Sequence, residues 1–194
     1  SRENKGLVNT LNEAIDLARG EWIARMDADD VSHPDRFRLQ IAHLQNSKAD
    51  LCGSWIQYFG NSDNRVWRAY ESDLAIKLDM LFKCPMAHPS IMMRTSILKE
   101  LKYDVSMLFA EDYDLWIRCA QLGLIFTNVQ KVLLSYRRHE SQISTATYIP
   151  QQFYTRKVLE SYLKFISRKY EIEELLLQSI FLPFAAKNNF SDND

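Results

Sequence analysis

The sequence lacks three features that would place it in a simple class. Its three cysteines are widely spaced without a Cys-x-x-Cys pair, which argues against a disulfide framework or a zinc knuckle and favours core thiols in a reducing cytoplasm. The 24 basic and 25 acidic residues leave a formal net charge of -1, so there is no electrostatic basis for nonspecific binding to nucleic acid. The longest apolar segment, residues 175–186, is too short to span a bilayer.

The composition is that of one globular domain with an added helical tail. The chain has 194 residues, of which 46% are hydrophobic and 25% charged, enough to bury a single core. We predict a main domain over residues 1–148, a helical extension over 149–186 and a disordered polar tail over 187–194. The chain begins at Ser1, and residues 6–18 already read as a helix in mid-fold, so we expect a fragment of a longer protein.

Helical and strand-like patterns alternate along the main domain, which predicts an α/β fold with a mixed sheet flanked by helices. The predicted helices are residues 6–18, 34–47, 74–82, 96–101, 109–122 and a tail over 150–181. The predicted strands are residues 22–26, 49–59, 66–70, 91–93, 125–128 and 132–138. Turn residues over 60–64 make the second and third strands a hairpin.

An acidic turn follows the first predicted strand. Asp27 and Asp29 share a face where the chain leaves the sheet, and Asp30 follows directly. Carboxylates packed this closely repel unless a cation joins them, and oxygen ligands suit Mg2+ or Mn2+, which would hold a diphosphate. The alternative is that Asp30 or Ser32 caps the next helix, although one cap does not need three carboxylates.

A second acidic group opens the predicted helix over 109–122. Residues 111–114 read Glu-Asp-Tyr-Asp, and Asp112 is our candidate for a general base that accepts a proton from an attacking hydroxyl. The alternative is a set of first-turn acids that stabilise the helix dipole. If the two acidic groups face one cleft, metal binding and base catalysis belong to the same site.

The last predicted strand ends in Arg137, Arg138 and His139. An arginine there could bind phosphate oxygens and His139 could complete a metal shell, although a lone histidine at a strand end is more often only a surface residue.

Several aromatic residues could stack on a sugar, but core or cross-strand packing is the more common use: Trp55, Tyr58, Trp67 and Trp116. The basic stretch over 156–169 suits peripheral contact with an anionic membrane, or packing against the domain.

Five motifs in order make the chain resemble the family 2 glycosyltransferases with the GT-A fold, particularly bacterial enzymes of surface polysaccharide synthesis. They are Asn4-Lys5-Gly6-Leu7 with Asn12, the stretch 25–30, His88-Pro89-Ser90, the stretch 111–116, and residues 136–139 with Ser144. The resemblance implies that Asp27 and Asp29 are the DxD that holds the metal and the sugar-nucleotide diphosphate. It also implies that Asp112 is the catalytic base, that His139 approaches the metal or diphosphate, and that Arg137 or Arg138 contacts phosphate.

The resemblance implies an inverting transferase that moves a sugar from a nucleotide-diphospho-sugar to a hydroxyl of a saccharide or lipid-linked acceptor. It implies a cytoplasmic location, at the inner face of the membrane. The opening βα units of that family have no counterpart before residue 22, so we expect a partial, N-terminally truncated GT-A domain. Two alternatives stay open: a noncatalytic remnant that dimerises or binds partners through its sheet edge and tail, and a metal-dependent nucleotidyltransferase or phosphohydrolase.

Overall fold

The computed structural model describes residues 3–61, 64–138 and 148–185. Seven α-helices lie in these ranges: α1 (Leu7–Leu17), α2 (Arg36–Ser47), α3 (Asp73–Asp79), α4 (Thr95–Leu101), α5 (Glu111–Gln121), α6 (Tyr148–Tyr170) and α7 (Glu174–Ala185). Six strands accompany them: β1 (Trp22–Ala24), β2 (Val31–Ser32), β3 (Leu51–Gly60), β4 (Val66–Trp67), β5 (Met92–Arg94) and β6 (Phe126–Arg138). A 3-10 turn, His88–Ser90, precedes β5.

The strands form one mixed sheet, which confirms the predicted fold class. Their order is β1-β5-β3-β6-β2, and β4 pairs with β3 as the predicted hairpin. Of the strands in the described ranges, only β3 and β6 run parallel, from the pair Leu51 and Phe126 to the pair Gly60 and Arg138. The main core lies between the sheet and α1, α3, α5 and α6, with Trp116 and Phe126 among its fully buried side chains.

The prediction of two separate strands over 125–128 and 132–138 is wrong, because β6 is one continuous strand. Its pairing with β3 passes from Ser54 with Val129 to Trp55 with Val132, so extra residues bulge out of the ladder. Gln130 lies in this bulge, and its side-chain amide donates to the carbonyl of Ala69. Gln130 thus interrupts the apolar pattern of the sequence, but the strand continues because the side chain forms its hydrogen bond outside the ladder.

The single helical tail predicted over 150–181 is two helices. The chain turns at Glu171, which has a left-handed backbone with φ of 55°, and the Ser167 hydroxyl donates to the carbonyl of Ile172 across the turn. Leu159 and Leu163 of α6 are buried in the same core as α5. Among the described residues, no helix is both long and apolar enough to cross a membrane.

Strand β2 directly follows the acidic turn. It was not predicted from the sequence, because a strand of two residues shows no periodicity. Val31 pairs with Ser135 of β6, so the chain returns to the sheet immediately after Asp30. This pairing places the acidic turn beside the end of β6.

A buried guanidinium lies beneath this turn. Arg36 is 1% exposed, and its Nη2 donates to the carbonyls of Arg25 at 2.7 Å and Ile91 at 3.3 Å. Its Nε donates to Gln40 Oε1 at 3.0 Å, and Gln40 in turn donates to the carbonyl of Ser90 at 2.8 Å. Burial lowers the pKa of Arg36 to about 10. Helix α2 therefore fastens the chain that leaves β1 to the chain that enters β5.

We expect Arg36→Met to lower the free energy of unfolding by about 2–3 kcal/mol, because the part-buried carbonyl of Arg25 loses its guanidinium donor and the carbonyl of Ile91 loses one of its two donors, retaining the backbone N–H of Arg25. Chemical denaturation measures the change. Arg38→Met is the matched control on the same helix. The Arg38 side chain is 69% exposed and pairs with Asp35, so we expect the free energy of unfolding to fall by less than about 0.5 kcal/mol. Equal losses in the two variants would contradict a supporting role for the buried network.

Candidate active site

An arginine neutralises the first carboxylate of the acidic turn. Arg25 directs Nη2 to Asp27 Oδ1 at 2.6 Å and Nη1 to Asp27 Oδ2 at 2.8 Å, a two-pronged ion pair. The Arg25 side chain is only 12% exposed, while that of Asp27 is 36% exposed. Charge-assisted paired hydrogen bonds of this kind fix the orientation of both groups.

Asp30 is the buried member of the turn. Its Oδ1 accepts from the backbone N–H of Arg137 at 2.9 Å, whereas its Oδ2 is buried without a hydrogen-bond partner among the described residues. Burial raises the pKa of Asp30 to about 6, and the negative charges of Asp27 and Asp29 add to the increase. The carboxylates of the turn therefore repel one another.

The proposal that Asp30 or Ser32 caps the following helix is wrong. Helix α2 begins at Arg36 behind Asp35, and no side chain caps its first N–H groups. The Asp30 carboxylate instead bonds to β6, and Ser32 lies in β2, which separates the turn from the helix. The residues that follow Asp30 pair with β6 as a strand and therefore do not begin the helix.

The first turn of α5 carries the second acidic group. Asp112 Oδ1 accepts from the backbone N–H of Tyr113 at 2.7 Å, and the thiol of Cys84 lies 3.6 Å from Asp112 Oδ2. Glu111 beside it is buried. Burial raises the pKa of both carboxyls, and the charge of Asp112 raises that of Glu111 further.

Arg25 acts on both acidic groups. Its positive charge lowers the pKa of Asp30 in the turn and also the pKa values of Glu111 and Asp112 on α5. One buried cation thus lies within electrostatic reach of both predicted halves of the site. Arg25 was not among the predicted site residues. The available signal in the sequence was a cation within an apolar strand, two residues before the first of three acids.

The predicted phosphate-binding arginines lie at the end of β6. The Arg137 guanidinium lies 4.4 Å from the centre of the Phe59 ring, and its Nε donates to the carbonyl of Asp29 at 2.9 Å. Arg138 lies 5.4 Å from the ring centre of Tyr58. These contacts connect the strand end to the acidic turn. His139 and Ser144 lie outside the described residues.

The remaining motif residues are structural in this fold. His88 is buried, with Nε2 at 2.7 Å from the Tyr103 hydroxyl, and burial lowers its pKa well below the usual range. The Asn12 side chain bonds to both backbone groups of Tyr103 and so joins α1 to the segment before α5. Trp116 is a core residue, and the Trp55 indole donates to the carbonyl of Ala69.

The donor set at the turn is suited to a hard divalent cation. The turn carries three carboxylates: that of Asp27 pairs with Arg25, and Asp30 Oδ2 is buried without a hydrogen-bond partner among the described residues. Carboxylate oxygens are the ligands that Mg2+ and Mn2+ prefer. Across the described ranges, however, no group of three or more His, Cys, Asp or Glu side chains is arranged to hold a metal by itself, so a complete shell needs oxygens from elsewhere.

Comparison with known proteins identifies the family. Residues 1–102 match the family model described as glycosyl transferase family 2. The chain belongs to this family. An uncharacterized glycosyltransferase of Methanocaldococcus jannaschii is 31% identical over 169 residues, which cover 84% of this chain and 58% of that relative. The amylovoran biosynthesis glycosyltransferase AmsE of Erwinia amylovora is 28% identical over 73% of this chain and 54% of its own length. The family 2 chain thus spans less than two thirds of each relative.

Solved structures share the GT-A fold of this family 2 chain. S. aureus TarS 1-349 in complex with UDP-GlcNAc matches 92% of this chain and 52% of its own, with a TM-score of 0.66 and 17% identity. The mannosyltransferase PcManGT from Pyrobaculum calidifontis, in complex with GDP-Man and Mn2+, matches 95% of this chain and 53% of its own, with a TM-score of 0.52 and 14% identity. The prediction of a family 2 glycosyltransferase with a GT-A fold is confirmed.

The buried carboxyl of Asp30 predicts an unusual pH dependence of stability. Its folded-state pKa of about 6 exceeds the ordinary value of 3.8, so between these values the folded chain binds more protons than the unfolded chain. The contribution of Asp30 to the free energy of unfolding therefore falls as pH rises from about 4 to about 6. We expect Asp30→Asn, which keeps an acceptor for Arg137, to remove this fall.

Urea denaturation of the metal-free protein across this pH range measures the difference between wild type and Asp30→Asn. Asp35→Asn, at an exposed carboxylate immediately before α2, is the matched control. Parallel stability profiles for wild type and Asp30→Asn would contradict a raised pKa at this position.

Proposed function

We propose that this chain is the major part of an inverting glycosyltransferase that moves a sugar from a nucleotide-diphospho-sugar to an acceptor hydroxyl. The observation that carries the proposal is the position of Arg25, which pairs with Asp27 and lowers the pKa of Asp112. A metal-binding turn and a base on one crevice are the two parts that such a transfer needs. AmsE, whose name gives it a role in amylovoran biosynthesis, supports surface polysaccharide synthesis as the setting.

The acidic turn and the end of β6 are the proposed binding site for the donor diphosphate. Asp27 and Asp29 would hold Mg2+ or Mn2+, with His139 and phosphate oxygens as further ligands, and Arg137 or Arg138 would contact phosphate. The cation, when bound, neutralises the charge that develops on the departing diphosphate. Support comes from the mutual repulsion of the carboxylates in the turn, which adds to the raised pKa of Asp30, and from PcManGT, which binds GDP-Man and Mn2+.

Asp112 is the proposed general base. Its carboxylate takes the proton from the acceptor hydroxyl, the hydroxyl oxygen forms a bond to the anomeric carbon, and the bond from that carbon to the diphosphate breaks. Attack from the side opposite the leaving group inverts the anomeric carbon. A pKa raised by burial makes Asp112 a stronger base, while Arg25 limits the increase and favours the ionised form.

The domain boundaries belong to the same proposal. Residues 1–148 are the proposed transferase domain and residues 149–186 its helical extension. Leu159 and Leu163 of α6 lie in the core that also contains Trp116 of α5, so the extension would support the helix that carries the base. A saccharide or a lipid-linked saccharide is the proposed acceptor.

We expect Asp112→Asn to lower kcat for sugar transfer by about 10²- to 10⁴-fold, because the amide cannot accept the proton. The assay is transfer from a panel of UDP- and GDP-sugars by the full-length parent, with product analysis; calorimetry should show unchanged binding of UDP or GDP.

Asp114→Asn is the matched control for the base, since Asp114 lies in the same helical turn and its side chain accepts from Arg118 Nε at 2.8 Å. The amide retains that acceptor, so activity should stay near wild type. Near-normal turnover by Asp112→Asn would refute the base assignment. Release of pyrophosphate in place of a transferred sugar would indicate a nucleotidyltransferase.

The metal assignment predicts that Asp29→Asn weakens Mn2+ binding in the presence of UDP or GDP by at least about tenfold, because the cation loses an anionic ligand. Electron paramagnetic resonance of Mn2+ measures the bound fraction. Asp35→Asn should leave the affinity unchanged, and removal of divalent cations should abolish transfer by wild type. Wild-type affinity in Asp29→Asn would exclude Asp29 as a ligand.

A further inference from the structure

A thiol faces the carboxylate proposed as the base. Cys84 lies in the segment that follows α3, partly buried against the main core, with Sγ at 3.6 Å from Asp112 Oδ2. The other carboxylate oxygen accepts from the N–H of Tyr113, so each oxygen of Asp112 has its own neighbour. The Tyr113 hydroxyl donates to the carbonyl of Met80, which fastens the same segment to α5. The contact between Cys84 and Asp112 thus lies between two elements that are held together independently.

The thiol has one proton and two acceptors within reach. The carbonyl of Met86 is 3.7 Å from Sγ, and Asp112 Oδ2 is 3.6 Å away. A charged acceptor forms the stronger hydrogen bond, so the proton lies toward the carboxylate when Asp112 is ionised. Burial and the negative charge of Asp112 raise the pKa of Cys84 well above its usual range. The thiol therefore remains a donor throughout the pH range in which Asp112 titrates.

We propose that Cys84 is a positioning residue for the base, whose thiol holds Asp112 Oδ2 and favours the ionised carboxylate. The inference rests on the proposed function only in naming Asp112 as the base; the contact itself exists apart from it. Cys84 touches neither donor nor acceptor in this assignment, and it acts through Asp112. It differs from Cys52 and Cys119, whose thiols are fully buried.

Other charged and titratable groups also face Asp112 and have to be kept constant in a test. Glu111 is its neighbour on α5, Arg25 reaches it from the end of β1, and Tyr103 faces it from the segment before α5. Cys84 is the group that faces it from the segment after α3. Single substitutions at Cys84 leave the other three in place.

The kinetic test compares Cys84→Ala with Cys84→Ser. A donor to the ionised form lowers the pKa of a carboxyl, so its loss in Cys84→Ala should move the acid limb of the kcat profile up by about half a unit to one unit. Below that limb kcat should fall about three- to tenfold, with KM for the donor sugar unchanged. Cys84→Ser keeps a donor and should restore the wild-type limb. Cys119→Ala, which removes a thiol from the same core, should leave the limb in place.

An infrared measurement tests the same contact without turnover. The S–H stretch of Cys84, isolated as wild type minus Cys84→Ala, should lie below that of an unbonded thiol, should shift as Asp112 is protonated, and should lose this shift in Asp112→Asn. A band that is insensitive to pH and to Asp112→Asn overturns the inference, as does a Cys84→Ala acid limb identical to wild type. A sensitive band in a protein that transfers no sugar supports the contact and contradicts the proposed function instead.

Discussion

The ion pair between Arg25 and Asp27 is the interaction on which the rest of the site depends. Three carboxylates within four positions create a concentration of negative charge that a fold has to offset before it can hold the chain in place. Arg25 supplies one positive charge from within the sheet, and the carbonyl of Arg25 is itself held by the buried Arg36. The acidic turn is thus held by two guanidinium groups: that of Arg25 pairs with Asp27, and that of Arg36 bonds to the carbonyl of Arg25.

The same arrangement supports the proposal that the two acidic groups belong to one site. The acidic turn follows a strand at one edge of the sheet, whereas Asp112 opens a helix that packs on the main core. Arg25 directly follows the short strand β1: its backbone N–H still donates to the carbonyl of Ile91 at 2.9 Å, and its positive charge lowers the pKa of Asp112.

Much of the fold could be predicted from the sequence, because periodic segments such as α1, α2 and α5 bury one face each. The acidic turn and the α5 acids were also recognisable, since closely spaced carboxylates stand out in a chain of almost zero net charge. What the sequence did not predict depends on contacts distant along the chain. β2 exists only because β6 is beside it, and the Cys84 thiol acquires a partner only when the segment after α3 packs on α5. The alternative that Asp30 caps α2 failed for the same reason, since Asp30 bonds to β6 instead.

The parallel pairing of β3 with β6 has a consequence for how the site is assembled. Leu51 pairs with Phe126, and between these strands the chain runs through the hairpin, α3, α4 and α5. Contacts between such distant partners require a large loop to close, which slows folding. Since β6 also carries the backbone N–H that donates to the Asp30 carboxylate, the turn cannot reach its final geometry until this alignment occurs. During synthesis, the acidic turn therefore leaves the ribosome well before its supporting strand, and the metal affinity proposed for the turn should develop only after β6 has joined the sheet.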